Sequence, residues 1–149
     1  MFGGVTHLNL DPKHRVAIPA RYRDVLQGQY SNRVTVTLES PQYLLIYPEE
    51  IWNQVRERIQ TLPTGSHPLV KSSQRLVLGH AETVEMDKAG RILLSSSLRN
   101  LVCLEKDIVL VGLGNRFELW DATKWSAETN KALQVPQDDL ASLLNGFSL

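Results

Sequence analysis

Slid along itself until Asp11 meets Asp87, this chain repeats. LDPKHRVAIPARYRDVL (residues 10–26) then lies over MDKAGRILLSSSLRNLV (residues 86–102). Identity is confined to Asp11/Asp87, Arg15/Arg91 and Arg23/Arg99, but apolar residues meet at Leu10/Met86, Val16/Ile92, Ile18/Leu94, Tyr22/Leu98 and Leu26/Val102. A second stretch matches at a slightly shorter offset: LLIYPEEIW (44–52) over FELWDATKW (117–125), pairing Tyr47 with Trp120 and Trp52 with Trp125. Self-similarity of this kind marks two copies of one unit of about fifty residues. A unit that small buries too little apolar surface to stand alone comfortably, so the two must pair within the chain. The fold expected is a pseudo-twofold, mainly β body decorated with helices.

Each copy carries the same local signals. VTHLNL and AETVEM suit strands with one buried face, because Leu8 and Leu10, or Val84 and Met86, recur at every second residue. RVAI and RILL continue as second strands, and PARYRDVL reads as a helix with Pro19 in its first turn. RVTVTL and DIVLVGL are β-branched third strands, followed by short fourth strands LLIY and FELW. After Pro48, a helix follows with Ile51, Val55, Ile59 and Leu62 on one stripe and acids in its first turn. HPLVKSSQRLVL reads as a connecting helix stopped by Gly79, and DDLASLLNGF as a last amphipathic turn or two. Tyr43, Trp52, Trp120 and Trp125 suit a core, although the same residues would also anchor subunit contacts.

The D-x-x-x-R motif of each copy has the chemistry of a tight turn. Type I turns favour Asp first, Pro second and Gly fourth. Asp11 and Pro12 supply the first two in one copy, and Asp87 and Gly90 the first and last in the other. A three-residue hairpin loop places its third residue in the left-handed region, open to Gly90 and to His14. Two roles then compete for the Asp–Arg pairs. One is a cross-strand ion pair worth ~0.2–1 kcal/mol and nothing more. In the other, Asp orients an Arg whose planar fork binds phosphate or a guanine edge.

Charge distribution favours the second role. Sixteen Lys and Arg balance sixteen Asp and Glu over 149 residues, yet Lys13 to Arg33 holds five basic residues and one acid, Asp24. Lys13, Arg15, Arg21 and Arg23 form an electrostatic footprint, with Arg21 and Arg23 at the start of the first helix. The single cysteine, Cys103, excludes an intramolecular disulfide and a cysteine-rich zinc site. The N-terminus does not read as a secretory signal and no apolar run approaches a membrane span, so a cytosolic protein is expected.

LDPKHRVAIPARYR, the second motif at 87–91, QRLVLGHA at 74–81 and FELWD at 117–121 together resemble the MraZ family of bacterial transcriptional regulators. The resemblance covers essentially the whole chain. Each unit also resembles the AbrB-type swapped-hairpin module, which runs strand, turn with Gly-Arg, strand, Ile-Pro, helix. The resemblance implies a mainly β fold with helices. Two tandem AbrB-like units, residues 5–52 and 81–124, would form one pseudo-twofold β-barrel body. A helical connector (53–80) would join them and a helical tail (125–149) would follow.

The same resemblance implies ring-shaped homo-oligomers and a nucleoid-associated, cytoplasmic protein. The partner implied is double-stranded DNA, at short guanine-rich direct repeats upstream of a division and cell-wall gene cluster that includes the protein's own promoter. No cofactor, metal, membrane or small-molecule substrate is implied. The DNA-binding positions that follow are Asp11 and Arg15 in the first motif and Asp87 and Arg91 in the second, with Lys13, Arg21, Arg23 and Lys88 beside them. This chain departs from the module at His14, where Gly is usual, and at Ser95, where the first copy has Pro19.

Two other classes are weighed against this reading. An enzyme would draw on Glu82, Glu85 and Asp87 near His80, but AETVEMD reads as a strand that puts Glu82 on the opposite face. The four histidines lack metal-ligand spacing, and GLG at 112–114 lacks the third glycine and following acid of a dinucleotide site. A non-enzymatic structural oligomer or an antitoxin-like AbrB module is the remaining alternative.

Overall fold

The computed structural model describes residues 1–63, 65, 67–145 and 147. The chain runs β1 (Phe2–Asn9), β2 (Arg15–Ala17), α1 (Ala20–Gln29), β3 (Arg33–Ser40), β4 (Tyr43–Pro48), α2 (Glu49–Gln60) and α3 (Pro68–Gly79). It continues through β5 (Glu82–Glu85), β6 (Arg91–Leu93), α4 (Ser96–Leu101), β7 (Asp107–Gly114), β8 (Phe117–Asp121), α5 (Ala122–Leu133) and α6 (Gln137–Leu143).

Local chemistry explains most of these boundaries. In β3, Val34 and Val36 point to one face while Thr35 and Thr37 point to the other, all of them buried. The buried hydroxyls are satisfied: Thr35 pairs with Thr83 Oγ1 at 2.7 Å, and Thr37 donates to the Val77 carbonyl. Helix α2 starts after Pro48 with Glu49 and Glu50 in its first turn and carries Arg58 in its last, which matches the helix dipole at both ends. Asp121 caps α5 by accepting from Thr123 N and also accepts from Glu105 N, tying the preceding loop to the helix. Two helix ends differ from expectation. Pro19 is the N-cap of α1 rather than part of its first turn. Helix α3 passes through Gly79 to His80, whose φ of −97° is not left-handed, so the glycine is not the stop.

A six-stranded sheet in the order β1-β7-β8-β4-β3-β5 forms the centre, with a two-stranded ribbon, β2-β6, beside it. The sheet pairings are antiparallel. Under the sequence correspondence β1 matches β5, β3 matches β7 and β4 matches β8, so the order reads the same from both ends. Each half also lends a strand to the other: β1 pairs with β7, and β5 with β3.

The expected barrel is not closed. Among the described residues the sheet is open, with β1 and β5 at opposite edges. Closure would require those edges to meet. Instead the inner face is covered by the ribbon and the two short helices behind it, so burial is achieved by layering. That inner layer holds Val16 and Ile92 of the ribbon, Tyr22 and Leu26 of α1, and Leu98 of α4, packed on Val36, Ile46, Ile108, Phe117 and Leu119. Phe2, Tyr22 and Phe117 form an aromatic cluster with ring centroids 4.2 to 5.8 Å apart. Such pairs add ~0.5–1.5 kcal/mol each beyond their buried area. On the outer face, Trp52 and Val77 pack with Leu45 and Tyr47, and Trp120 and Trp125 pack with Val109 and Val111. Trp52 and Trp120 are buried, in keeping with the core role expected of them.

Candidate nucleic-acid interface

Both D-x-x-x-R motifs fold into the same turn. In the first, His14 N donates to the Asp11 carbonyl at 2.9 Å and Asp11 N to the Arg15 carbonyl at 3.1 Å. The carboxylate does the rest: Asp11 Oδ1 accepts from Lys13 N (2.9 Å) and Arg15 N (2.8 Å), and Oδ2 from Arg15 Nε (2.7 Å). In the second, Asp87 Oδ1 accepts from Ala89 N and Arg91 N, and Oδ2 from Arg91 Nε, all at 2.9 Å. The third loop residue is left-handed in each, His14 at φ 62° and Gly90 at φ 75°. Placement of these two residues follows the turn chemistry read from sequence.

Electrostatics agree with the geometry. Burial pushes the Asp11 carboxyl upward, but the Arg15 amide and guanidinium and the Lys13 amide outweigh it and hold the group below its ordinary 3.8. For Asp87 the Arg91 amide leads, and the result is again a depressed value. Both carboxylates are therefore charged at neutral pH, and each fixes its arginine through Nε. Apart from the contact of Arg15 Nη1 with Asp87 described below, the terminal guanidinium nitrogens make no hydrogen bond or ion pair among the described residues, and their fork geometry suits phosphate or a guanine edge.

The two turns meet. Strand β2 leaves β1 after the first turn and pairs antiparallel with β6, Arg15 opposite Leu93 and Ala17 opposite Arg91. Each left-handed residue then serves the other half: Ile18 N donates to the Gly90 carbonyl (2.9 Å) and Leu94 N to the His14 carbonyl (3.1 Å). Arg15 Nη1 also lies 4.0 Å from Asp87 Oδ2, linking the motifs directly. Because side chains alternate along a strand, Val16 and Ile92 turn inward and are fully buried. Arg15, Ala17, Arg91 and Leu93 share the outward face, and Leu93 is 57% exposed on it. One ribbon face thus carries both arginines, with Lys13 and Lys88 exposed at the loop tips beside it.

Arg21 and Arg23 are occupied within the chain. Arg21 Nη2 donates to Thr6 Oγ1 (2.7 Å) and Tyr22 OH (2.9 Å), and its guanidinium lies 4.4 Å from the Tyr22 ring centroid. It braces α1 against β1 while remaining exposed. Arg23 crosses to the second turn, where Nη1 donates to the Ala89 carbonyl at 3.1 Å. Its side chain fills the space over Gly90: a Cβ there would stand 1.9 Å from Arg23 Cδ. The positioning role of Arg23 was not apparent from its charge.

Arg99, the repeat partner of Arg23, bonds instead to the Leu94 carbonyl through Nε (3.3 Å) and lines a cavity of about 560 Å³ with Pro12, His14 and Lys106. The repeat identity Arg23/Arg99 was the available signal for both roles. Leu93 gave none, since a leucine after Arg-Ile reads as core. Ser95 keeps the function of a helix start that Pro19 has in the first copy, with Oγ accepting from Leu98 N and donating to Glu82 Oε2 (2.6 Å).

The family model "MraZ protein, putative antitoxin-like" matches residues 1–68 and 77–143. A relative named transcriptional regulator MraZ from Chromobacterium violaceum is 54% identical over the whole of both chains. One of the same name from Nitrosomonas europaea is 44% identical, again over the whole of both chains, and one from Neisseria meningitidis is 43% identical over all of this chain and 99% of its own. The chain belongs to the MraZ family of transcriptional regulators.

Proposed function

We propose that the chain regulates transcription by binding double-stranded DNA sequence-specifically through the outward face of the β2-β6 ribbon, with no catalytic step and no cofactor. In this reading residues 5–52 and 81–124 are two AbrB-like units that interlock at the ribbon. Arg15 and Arg91 read guanine edges or clamp phosphates, Asp11 and Asp87 aim them, and Lys13 and Lys88 add phosphate contacts. Arg21 and Arg23 hold α1 against the rest of the site. Copies assemble into a ring, so that successive ribbons meet short guanine-rich direct repeats upstream of a division and cell-wall gene cluster, in the cytoplasm on the nucleoid.

The observation that carries the reading is the convergence of two carboxylate-anchored arginines on one exposed face of a chain with no net charge. The test is a titration of labelled duplexes carrying one, two or three guanine-rich repeats spaced by about 10–10.5 base pairs. Affinity should climb steeply with repeat number through effective concentration. It should also fall with salt, log K sloping at about −0.9 per phosphate neutralised. Equal weak binding to every duplex, or no salt dependence, would defeat the proposal. The family's antitoxin-like description supports a second reading, a module that binds protein. It predicts a folded chain indifferent to all these duplexes.

A further inference from the structure

Given the DNA-binding role proposed above, on which this rests, we infer that Leu93 gives the ribbon face its direction by packing on a thymine methyl beside the guanines. The pairing of the ribbon leads to it. Arg15 stands opposite Leu93 and Ala17 opposite Arg91, with Val16 opposite Ile92 between them. The outward side chains make two rungs, each of one arginine and one apolar residue. A pseudo-twofold axis between Val16 and Ile92 exchanges the rungs, because Arg15 corresponds to Arg91 and Ala17 to Leu93 in the repeat.

The arginines follow that axis in their anchoring. Each is held through Nε by its own carboxylate, Asp11 at 2.7 Å and Asp87 at 2.9 Å. Two such arginines alone would present the same face in either direction along DNA. The apolar corners break the axis, since one is a leucine and the other an alanine. Lys13 and Lys88 at the loop tips are not equivalent either, but phosphate contacts carry no base sequence. Leu93 is the side chain that makes one rung unlike the other.

Its exposure is built into the strand. Leu93 points outward while Ile92 before it and Leu94 after it are buried. Alternation commits a residue between two buried neighbours to the outside. The backbone holds it there: Leu94 N donates to the His14 carbonyl, and Ile18 N to the Gly90 carbonyl at the other end of the ribbon. A lone surface leucine needs no explanation. One set rigidly beside a carboxylate-anchored arginine has a place to act, because both meet the same ligand surface.

Base chemistry names what Leu93 meets. The major groove admits a two-stranded ribbon, and there arginine pairs with O6 and N7 of guanine while the C5 methyl of thymine offers an apolar contact. Residues directly opposed on a ribbon stand about 5 Å apart, and stacked bases about 3.4 Å apart. Leu93 therefore lies one or two base pairs from the guanine that Arg15 meets. Ala17, with a single methyl, is too short to make the same contact beside Arg91. The site of one ribbon thus carries thymine on one flank of its guanines and has no such requirement on the other.

Fluorescence titration of the full chain gives the test, with duplexes of three guanine-rich repeats, each flanked on both sides by a TA step that places a thymine on either strand. Deoxyuridine in one flank removes its methyl groups and nothing else. The parent should lose about fourfold in affinity for each repeat engaged when one flank is stripped, and should ignore the other flank. Leu93→Ala makes the two rungs alike. With circular dichroism and Tm unchanged, it should bind the thymine duplex as weakly as the parent binds the stripped one, and ignore both flanks. Several results would overturn the inference while leaving the DNA reading intact: a parent that binds all duplexes equally, an equal loss at either flank, a loss only when both are stripped, or a flank preference that survives Leu93→Ala. A parent that binds none of the duplexes would defeat the DNA reading and this inference with it.

Discussion

The turn at Asp11–Arg15 and the turn at Asp87–Arg91 have the same hydrogen bonds and different neighbours. One Asp carboxylate, one left-handed third residue and one Asp-held arginine recur in each. The first has a histidine in the left-handed position and an open cavity beside it. The second has a glycine, and Arg23 from the other half lies across it. The local motif fixes the turn, and the third residue decides what packs on it. With a side chain at His14, Arg99 stays on its own Leu94 carbonyl; with none at Gly90, Arg23 reaches over and ties α1 to the second turn.

The largest effect expected from breaking this comparison is that of Gly90→His. His14 shows that a histidine accepts this backbone conformation, so the cost isolates the clash with Arg23. Overpacking costs ~1–3 kcal/mol, and about 2–4 °C of Tm is lost per kcal/mol in a chain of this size. Thermal unfolding measures it, and adding Arg23→Ala should recover a large part, because contacting residues are not additive.

His14→Val comes next. A β-branched residue at φ 62° bears a strain of about 1–2 kcal/mol, again visible in Tm. His14→Gly should change stability by roughly 0.5 kcal/mol or less, since relief of the left-handed backbone is offset by a freer unfolded chain.

The smallest effect is that of pH. Both turn carboxyls sit below their ordinary 3.8 when folded, so their contribution is present above that value and is lost as pH falls through the depressed one. Urea midpoints should therefore drop below pH 3.8. The drop should be shallower in a chain carrying Asp11→Asn and Asp87→Asn.

Much of this was legible in the sequence because it depends on neighbours along the chain. Asp-Pro and Lys-Ala-Gly announce turns, VTVT announces a strand, and His14 was readable as left-handed because few other residues tolerate that position. The strand succession and the helices after Pro19, Pro48 and His67 follow from local pattern, whereas α5 (Ala122–Leu133) reads in the sequence only as part of a helical tail.

Partner choice was not legible. Nothing local tells β2 to leave β1 for β6, because a three-residue strand pairs wherever its buried side chain completes a core, as Val16 of β2 and Ile92 of β6 do. The open sheet in place of a barrel has the same origin, since alternation shows that a face is buried but not whether a layer or a closure buries it. The arginines divide likewise. Arg15 was readable from its spacing to Asp11, whereas the attachments of Arg21 to Thr6 and Arg23 to Ala89 depend on elements brought together only by folding.

The central claim is that two turns distant in sequence make one DNA-reading face. Fluorescence titration of a three-repeat guanine-rich duplex with the parent, Arg15→Ala, Arg91→Ala and the double variant tests it most directly. A bidentate guanine contact contributes ~1–3 kcal/mol, or roughly fivefold to over a hundredfold in affinity, and several ribbons would lose it together. The account predicts that each single variant loses at least tenfold while keeping its Tm within a few degrees, and that the double variant retains only weak binding indifferent to sequence. Parent-like affinity in the folded Arg15→Ala and Arg91→Ala variants would contradict it.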